Sequence, residues 1–130
     1  MADFFQNGVI TTLHNLTDRP VDELEQDLQR FSSRSPMSLV LPSLFSELEG
    51  PALGPILDDL KHARYLREIV IGLDRADAKQ FSYAKDYFGR LPQEHRILWN
   101  DGPRLRAVDK MLEEKGLAPT EMGKGRNVWY

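Results

Sequence analysis

Three short apolar runs recur along the chain, and each is followed by a polar loop and then by a helical pattern. The runs lie at residues 37–41, 68–73 and 95–99. The first run is almost continuously apolar, which is typical of a strand covered on both faces, and the second has β-branched residues at its centre. This alternation predicts an α/β fold with a parallel sheet, right-handed crossovers and flanking helices.

Two predicted helices lie at residues 52–61 and 78–88, and a third includes residues 105–112 and is ended by Lys115 and Gly116; each has apolar residues at helical spacing. Their predicted buried stripes are Leu53, Ile56, Leu57 and Leu60 in the first, Phe81, Ala84, Tyr87 and Phe88 in the second, and Leu105, Val108, Met111 and Leu112 in the third. Asp77 is predicted to cap the second helix, and Gly89 to end it. Residues 44–50 and 117–122 are expected to be loops, and residues 126–130 to begin a further helix.

Residues 1–36 form an N-terminal extension with one predicted helix. Its apolar stripe consists of Val21, Leu24, Leu28 and Phe31. Thr17 or Asp18 is expected to cap this helix, with Pro20 in its first turn. We expect the helix to pack on the single domain formed by residues 37–130.

Composition narrows the classes of function. The 130 residues carry a formal charge of −3, which gives no general attraction to nucleic acid or to anionic membranes. There is no cysteine, and His14, His62 and His95 are scattered, so neither a thiol nucleophile nor a metal site is expected in this chain. No signal peptide is recognised and no apolar stretch reaches the roughly 20 residues of a membrane span, so a cytoplasmic protein is expected.

The polar residues that could carry chemistry follow directly after the predicted strands, where open α/β sheets bind ligands. They are Pro42, Ser43 and Glu47 after the first strand, Gly72 and Asp74 at the second, Asn100 and Asp101 after the third, and finally Gly123 and Lys124. A carboxylate can accept hydrogen bonds from ribose hydroxyls or from a base N–H. A lysine between two glycines brings a cation and accessible backbone N–H groups to a phosphate. Together these loops predict a nucleotide-sized crevice.

Each member of this set is weak evidence by itself. A loop carboxylate is most often solvated or a helix cap, and residues 123–125 alone are most simply interpreted as a flexible turn. They do not form a P-loop, because Ala118 stands at the first glycine position and Gly125 at the Ser/Thr position. They are not a dinucleotide-binding fingerprint either, because Val128 replaces its third glycine.

Three segments taken together resemble a known family. Residues 41–47 (LPSLFSE), 69–75 (IVIGLDR) and 123–125 (GKG) resemble the GT-A class of nucleotide-sugar glycosyltransferases, and most of all the glucosyl-3-phosphoglycerate synthase and mannosylglycerate synthase group. The resemblance covers residues 37–130 and implies the Rossmann-like, nucleotide-binding half of a GT-A domain. It implies a nucleoside pocket lined by Pro42, Ser43, Leu44, Glu47 and Asp74, with Asn100 or Asp101 near the nucleotide and Lys124 at the diphosphate. Phe45 and Ser46 replace the Asn and Glu that related members commonly carry, which leaves uridine or guanosine open.

The same resemblance implies the cofactor and partners. The family holds a divalent metal, Mg²⁺ or Mn²⁺, with a D-x-D motif on a later strand, and this sequence has no D-x-D. The chain is therefore interpreted as the donor-binding part of a hexosyltransferase, truncated before that strand and inactive alone. Its expected partners are a UDP-glucose or GDP-mannose type donor and a small acceptor such as 3-phosphoglycerate or glycerate.

Two alternatives stay open at this point. One is a non-enzymatic α/β module that binds nucleotides or another protein, and the other is part of a different Rossmann-like enzyme, such as a nucleotidyltransferase. An open sheet edge and apolar helix faces would favour self-association, so a homodimer is one expected form.

Overall fold

The computed structural model describes residues 18–117 and 124–129. Its elements in chain order are α1 (Val21–Ser32), β1 (Met37–Leu44), α2 (Phe45–Leu48), α3 (Leu53–Leu60), β2 (Leu66–Asp74), α4 (Ala78–Phe88), β3 (Glu94–Trp99), α5 (Pro103–Glu114) and α6 (Lys124–Trp129). The predicted α/β fold with a parallel sheet, flanking helices and a helical N-terminal region is confirmed. In the described part of the chain, no helix is both long enough and apolar enough to cross a membrane.

The sheet has three parallel strands in the order β1-β2-β3, so β2 is central. Leu41 pairs with Ile71, which in turn pairs with Ile97, and side chains at these positions share one face. The core lies on this face, where fully buried Leu57 of α3 and Phe88 of α4 join the cluster formed with the strands. Within the described residues, β1 and β3 each pair on one side only.

The first strand runs three residues further than predicted. It ends at Leu44, and α2 occupies residues 45–48 of the loop expected at residues 44–50. Pro42 is tolerated inside this strand because alternate N–H groups of an edge strand point away from its neighbour. The expectation that both faces are covered is wrong, because Val40 on the face opposite the core is 47% exposed.

Helix α4 has the predicted bounds. The Asp77 carboxylate accepts from the backbone N–H groups of Lys79 and Gln80, both at 2.8 Å, while the Gln80 side chain accepts from the Asp77 N–H. This reciprocal capping box confirms Asp77 as the N-cap. In α3 the predicted stripe is wrong at Ile56, which is exposed.

Helices α1 and α5 form where the periodicity predicts them, but neither buries a residue within the described chain. Val21 and Phe31 of α1 are exposed, so the predicted packing of this helix on the domain is not found. Its N-cap is Pro20 rather than Asp18, and no side chain caps it; Thr17 lies outside the described residues. Met111 of α5 is exposed in the same way.

Candidate functional site

The carboxyl ends of the three strands bring several predicted residues together. Leu44 pairs with Asp74, and the Asn100 N–H donates to the Leu73 carbonyl at 2.9 Å, which extends the ladder beyond β3. Ser43 is fully buried, Asp74 is 4% exposed and Asn100 is 6% exposed. This edge of the sheet therefore carries buried polar side chains, which require hydrogen-bond partners.

Glu47 turns back onto the end of β1. Its Oε2 accepts from the Leu44 N–H at 3.0 Å and lies 3.4 Å from the Ser43 hydroxyl, which donates to it. Glu47 has this reach because it occupies the third position of α2, where a carboxylate also favours the helix N-terminal end. A carboxylate has about four acceptor positions, so capacity remains for a further donor.

The turn after β2 is held in a strained conformation. Arg75 has φ of 56°, in the left-handed region that residues with a Cβ seldom adopt, and its N–H donates to Asp74 Oδ1 at 3.1 Å. Asp101 Oδ2 accepts from the Ala76 N–H at 3.1 Å, and Asp101 Oδ1 lies 3.9 Å from the Arg106 guanidinium. Asp101 thus serves to hold the loop that follows Asp74.

The buried amide of Asn127 on α6 joins this edge from the face opposite the core. Its Nδ2 donates to the Gly72 carbonyl at 2.8 Å, and its Oδ1 accepts from Asn100 Nδ2 at 3.0 Å. Asn127 is 5% exposed. Sequence reasoning did not identify this residue; the available signal was an asparagine, a poor helix former, inside a predicted helix.

Gly72 is required by this close approach. A Cβ at position 72 would lie 1.9 Å from Asn127 Oδ1, which is much closer than two non-bonded atoms can approach. The predicted site residue Gly72 is therefore buried beneath α6 and contacts Asn127.

The remaining predicted residues are Gly123 and Lys124, of which Lys124 begins α6. Gly123 lies outside the described residues, as does the side chain of Lys124. The backbone of Lys124 and Gly125 is helical, so these two residues do not form the turn that the tripeptide alone suggested.

A cleft of about 400 Å³ lies on the β3 side of the sheet and reaches the end of that strand. It is lined at the β3 edge by residues that include Phe81, Ile97, Trp99 and Leu105, and by none of the predicted site residues. The rings of Phe81 and Trp99 stack there with centroids 4.7 Å apart. Among residues 18–117 and 124–129, no group of three or more His, Asp or Glu side chains could hold a metal ion.

Two curated proteins are similar to this chain along almost its whole length. The chain is 49% identical over 129 residues to the glucosyl-3-phosphoglycerate synthase of Persephonella marina. It is 34% identical over 129 residues to the enzyme of that name from Methanococcoides burtonii. The chain is similar to glucosyl-3-phosphoglycerate synthases. The predicted resemblance to this group is confirmed.

The extent of these matches is informative. They take in 99% and 98% of this chain, so the similarity reaches into residues 1–36, where no motif predicted it. The chain spans about a third of the length of these relatives, 32% and 31%, which is consistent with an N-terminal portion. No family model and no solved structure matches the chain.

Proposed function

We propose that this chain is the donor-binding part of a glycosyltransferase that moves a hexose from a nucleotide-diphosphate sugar to a small acceptor such as 3-phosphoglycerate or glycerate. The similarity to two glucosyl-3-phosphoglycerate synthases carries this proposal. The clustering of Ser43, Glu47 and Asp74 at the carboxyl edge of a parallel sheet supports it, since ligands of open α/β sheets bind there.

The proposed roles follow from the hydrogen-bonding capacity of each group. Glu47 and Asp74 accept from ribose hydroxyls or from a base N–H, beside a wall formed by residues 42–44. Lys124 approaches the diphosphate, where an ammonium group makes charge-assisted hydrogen bonds. Asn100 and Asp101 lie near the nucleotide and support its site indirectly, because their side chains contact Asn127 and Ala76.

The divalent metal, Mg²⁺ or Mn²⁺, has no fitting set of ligands among the described residues, and the whole sequence lacks D-x-D. Such an ion would neutralise charge on the leaving diphosphate when bound. We assign its ligands to a D-x-D motif outside these 130 residues. We expect the isolated chain to bind donor without transferring sugar.

Location and assembly complete the proposal. We propose a cytoplasmic enzyme, because nucleotide sugars with small phosphorylated acceptors suit that compartment. We also propose a homodimer, supported by the one-sided pairing of β1 and β3 and by the exposed apolar residues of α5.

Calorimetry and thermal shift with UDP-glucose, GDP-mannose and free nucleoside triphosphates, each with and without Mg²⁺ or Mn²⁺, test the function. We expect a nucleotide sugar to bind and stabilise the chain. Stabilisation by triphosphates alone would support a nucleotidyltransferase, and no binding at all would support an interaction module.

Variants of the candidate residues sharpen this experiment. Glu47→Gln and Asp74→Asn should weaken the binding of a nucleotide sugar. Glu49→Gln, an exposed carboxylate two residues beyond Glu47, is the matched control and should leave it unchanged. Equal effects of all three substitutions would contradict the assignment.

A further inference from the structure

We propose that Asn127 is a positioning residue for the donor diphosphate: its side-chain amide seats α6 on the ends of β2 and β3. This inference rests on the proposed donor-binding function. Asn127 itself is buried and both ends of its amide bind protein groups, so it acts through the helix that carries it.

Both ends of the Asn127 amide are engaged with different strands. Its Nδ2 donates to Gly72, two residues before Asp74 in β2, and its Oδ1 accepts from Asn100, the residue directly after β3. All of these groups are buried. Because water does not reach them, removing one partner leaves a polar group without a hydrogen bond, which is unfavourable.

Gly72 provides the space for this contact. Besides the 1.9 Å approach of Asn127 Oδ1, a Cβ at position 72 would lie 3.2 Å from the Asn127 carbonyl oxygen. The backbone of α6 therefore rests directly on β2 at this point. The two residues form a matched pair, in which the absence of a side chain on β2 allows the amide of α6 to reach the strand's carbonyl.

The contact lies close to the start of α6. Asn127 follows Lys124 by three residues of helix, a rise of about 4.5 Å, and helical hydrogen bonds fix such neighbours relative to one another. A displacement of Asn127 from Gly72 therefore displaces the backbone of Lys124 relative to Asp74.

A second contact restrains α6 from the side. Arg126 forms an ion pair with Asp109 of α5. This pair does not involve the strands, so this attachment of α6 remains when the Asn127 amide is removed. Loss of the amide should consequently shift the helix more than it unfolds the domain.

The test compares Asn127→Ala with Val128→Ala in the same chain, because Val128 is the next residue of α6 and is 54% exposed. Calorimetry measures the dissociation constants of UDP and UMP, and of GDP and GMP in parallel. We expect Asn127→Ala to weaken the diphosphate about tenfold, as for the loss of one charge-assisted contact, and the monophosphate less than about twofold. Val128→Ala should change neither.

Each of the other possible outcomes would overturn one or both of these proposals. Equal weakening of diphosphate and monophosphate, or no weakening of either, overturns the positioning role of Asn127 while leaving the donor-binding proposal in place. If the unsubstituted chain binds none of the four nucleotides, the donor-binding proposal falls, and this inference falls with it.

A second variant and a second measurement address the folding of the substituted chain. Asn127→Asp keeps the shape and the acceptor for Asn100 but lacks the N–H that donates to Gly72. Hydrogen exchange should show faster exchange in α6 with unchanged protection of β2 in both variants. Loss of protection in β2 together with α6 would show that Asn127 stabilises the whole fold, and would overturn the inference.

Discussion

The indole N–H of Trp99 donates to the carbonyl oxygen of Ala76 at 2.7 Å, and this bond ties the end of β3 to the loop that follows β2. Since Asp101 accepts from the N–H of the same residue, both backbone polar groups of Ala76 are held by the end of β3 and the loop that follows it. The turn that presents Asp74 is thus positioned by its neighbour in the sheet.

Replacing Trp99 with Phe should separate this hydrogen bond from aromatic packing. The new ring can still stack on Phe81, but the Ala76 carbonyl loses its donor. We expect the free energy of unfolding to fall by about 1–3 kcal/mol, measured by urea denaturation. Tyr83→Phe, at an exposed aromatic on α4, is the control and should be neutral. An unchanged stability of the Trp99 variant would show that the bond contributes nothing.

The left-handed backbone of Arg75 leads to a second prediction. A β-branched residue tolerates a φ of 56° poorly, so Arg75→Val should destabilise the chain by about 1–2 kcal/mol. Arg75→Gly relieves the strain but adds entropy to the unfolded chain, and should stay within about 1 kcal/mol of the parent. Urea denaturation of both variants provides the comparison, and a valine variant as stable as the glycine variant would contradict it.

A double-mutant cycle tests the contact between Gly72 and Asn127. Gly72→Ala overpacks a buried site and should lower the free energy of unfolding by about 1–3 kcal/mol. Adding Asn127→Ala removes the nearest clashing atoms, so the double variant should lose less stability than the two single variants summed, with a coupling of about 0.5–3 kcal/mol. Additive losses would mean that the two side-chain positions do not interact.

The pH dependence of one surface pair can be predicted by sign. The Lys61 ammonium, 2.7 Å from the carboxylate of Asp58, lowers the pKa of Asp58 below its ordinary value of 3.8 by hydrogen bonding and by charge attraction. A lowered pKa stabilises the fold above the unfolded-state pKa, and this contribution is lost as the pH falls through the folded-state pKa.

Lys61→Met should therefore raise the pKa of Asp58 towards 3.8, as followed by NMR titration of its carboxyl carbon. Lys79→Met, on a different helix, serves as the control and should not move it. A pKa of Asp58 that stays low in the Lys61 variant would assign the shift to another cause.

Local signals predicted the elements well. Helix α4 was predicted with its observed bounds, because the Asp77 cap and the Gly89 stop are chemical signals within a few residues of each end. The strands followed from β-branched and apolar runs for the same reason. Pro42 misled the prediction of the first strand's end, since whether a proline interrupts a strand depends on which edge of the strand faces a neighbour.

Burial was less predictable than helix formation. Periodicity shows that Val108 and Met111 share a face of α5, but whether another element covers that face depends on tertiary packing. The same distinction explains Ile56 in α3. At the candidate site, sequence order placed Ser43, Glu47 and Asp74 together, while the contact between Asn127 and Gly72, 55 positions apart, left no local pattern.

The sequential order of the strands has a consequence for how this domain assembles. Each strand pairs with the next one along the chain, so the core of β1 to β3 forms through short loop closures. The side-chain donor that Asn127 supplies to the Gly72 carbonyl, by contrast, arrives only with α6. We expect α6 to dock last during folding and to open first in the native state. A bound donor should therefore hold this late-forming helix against the sheet.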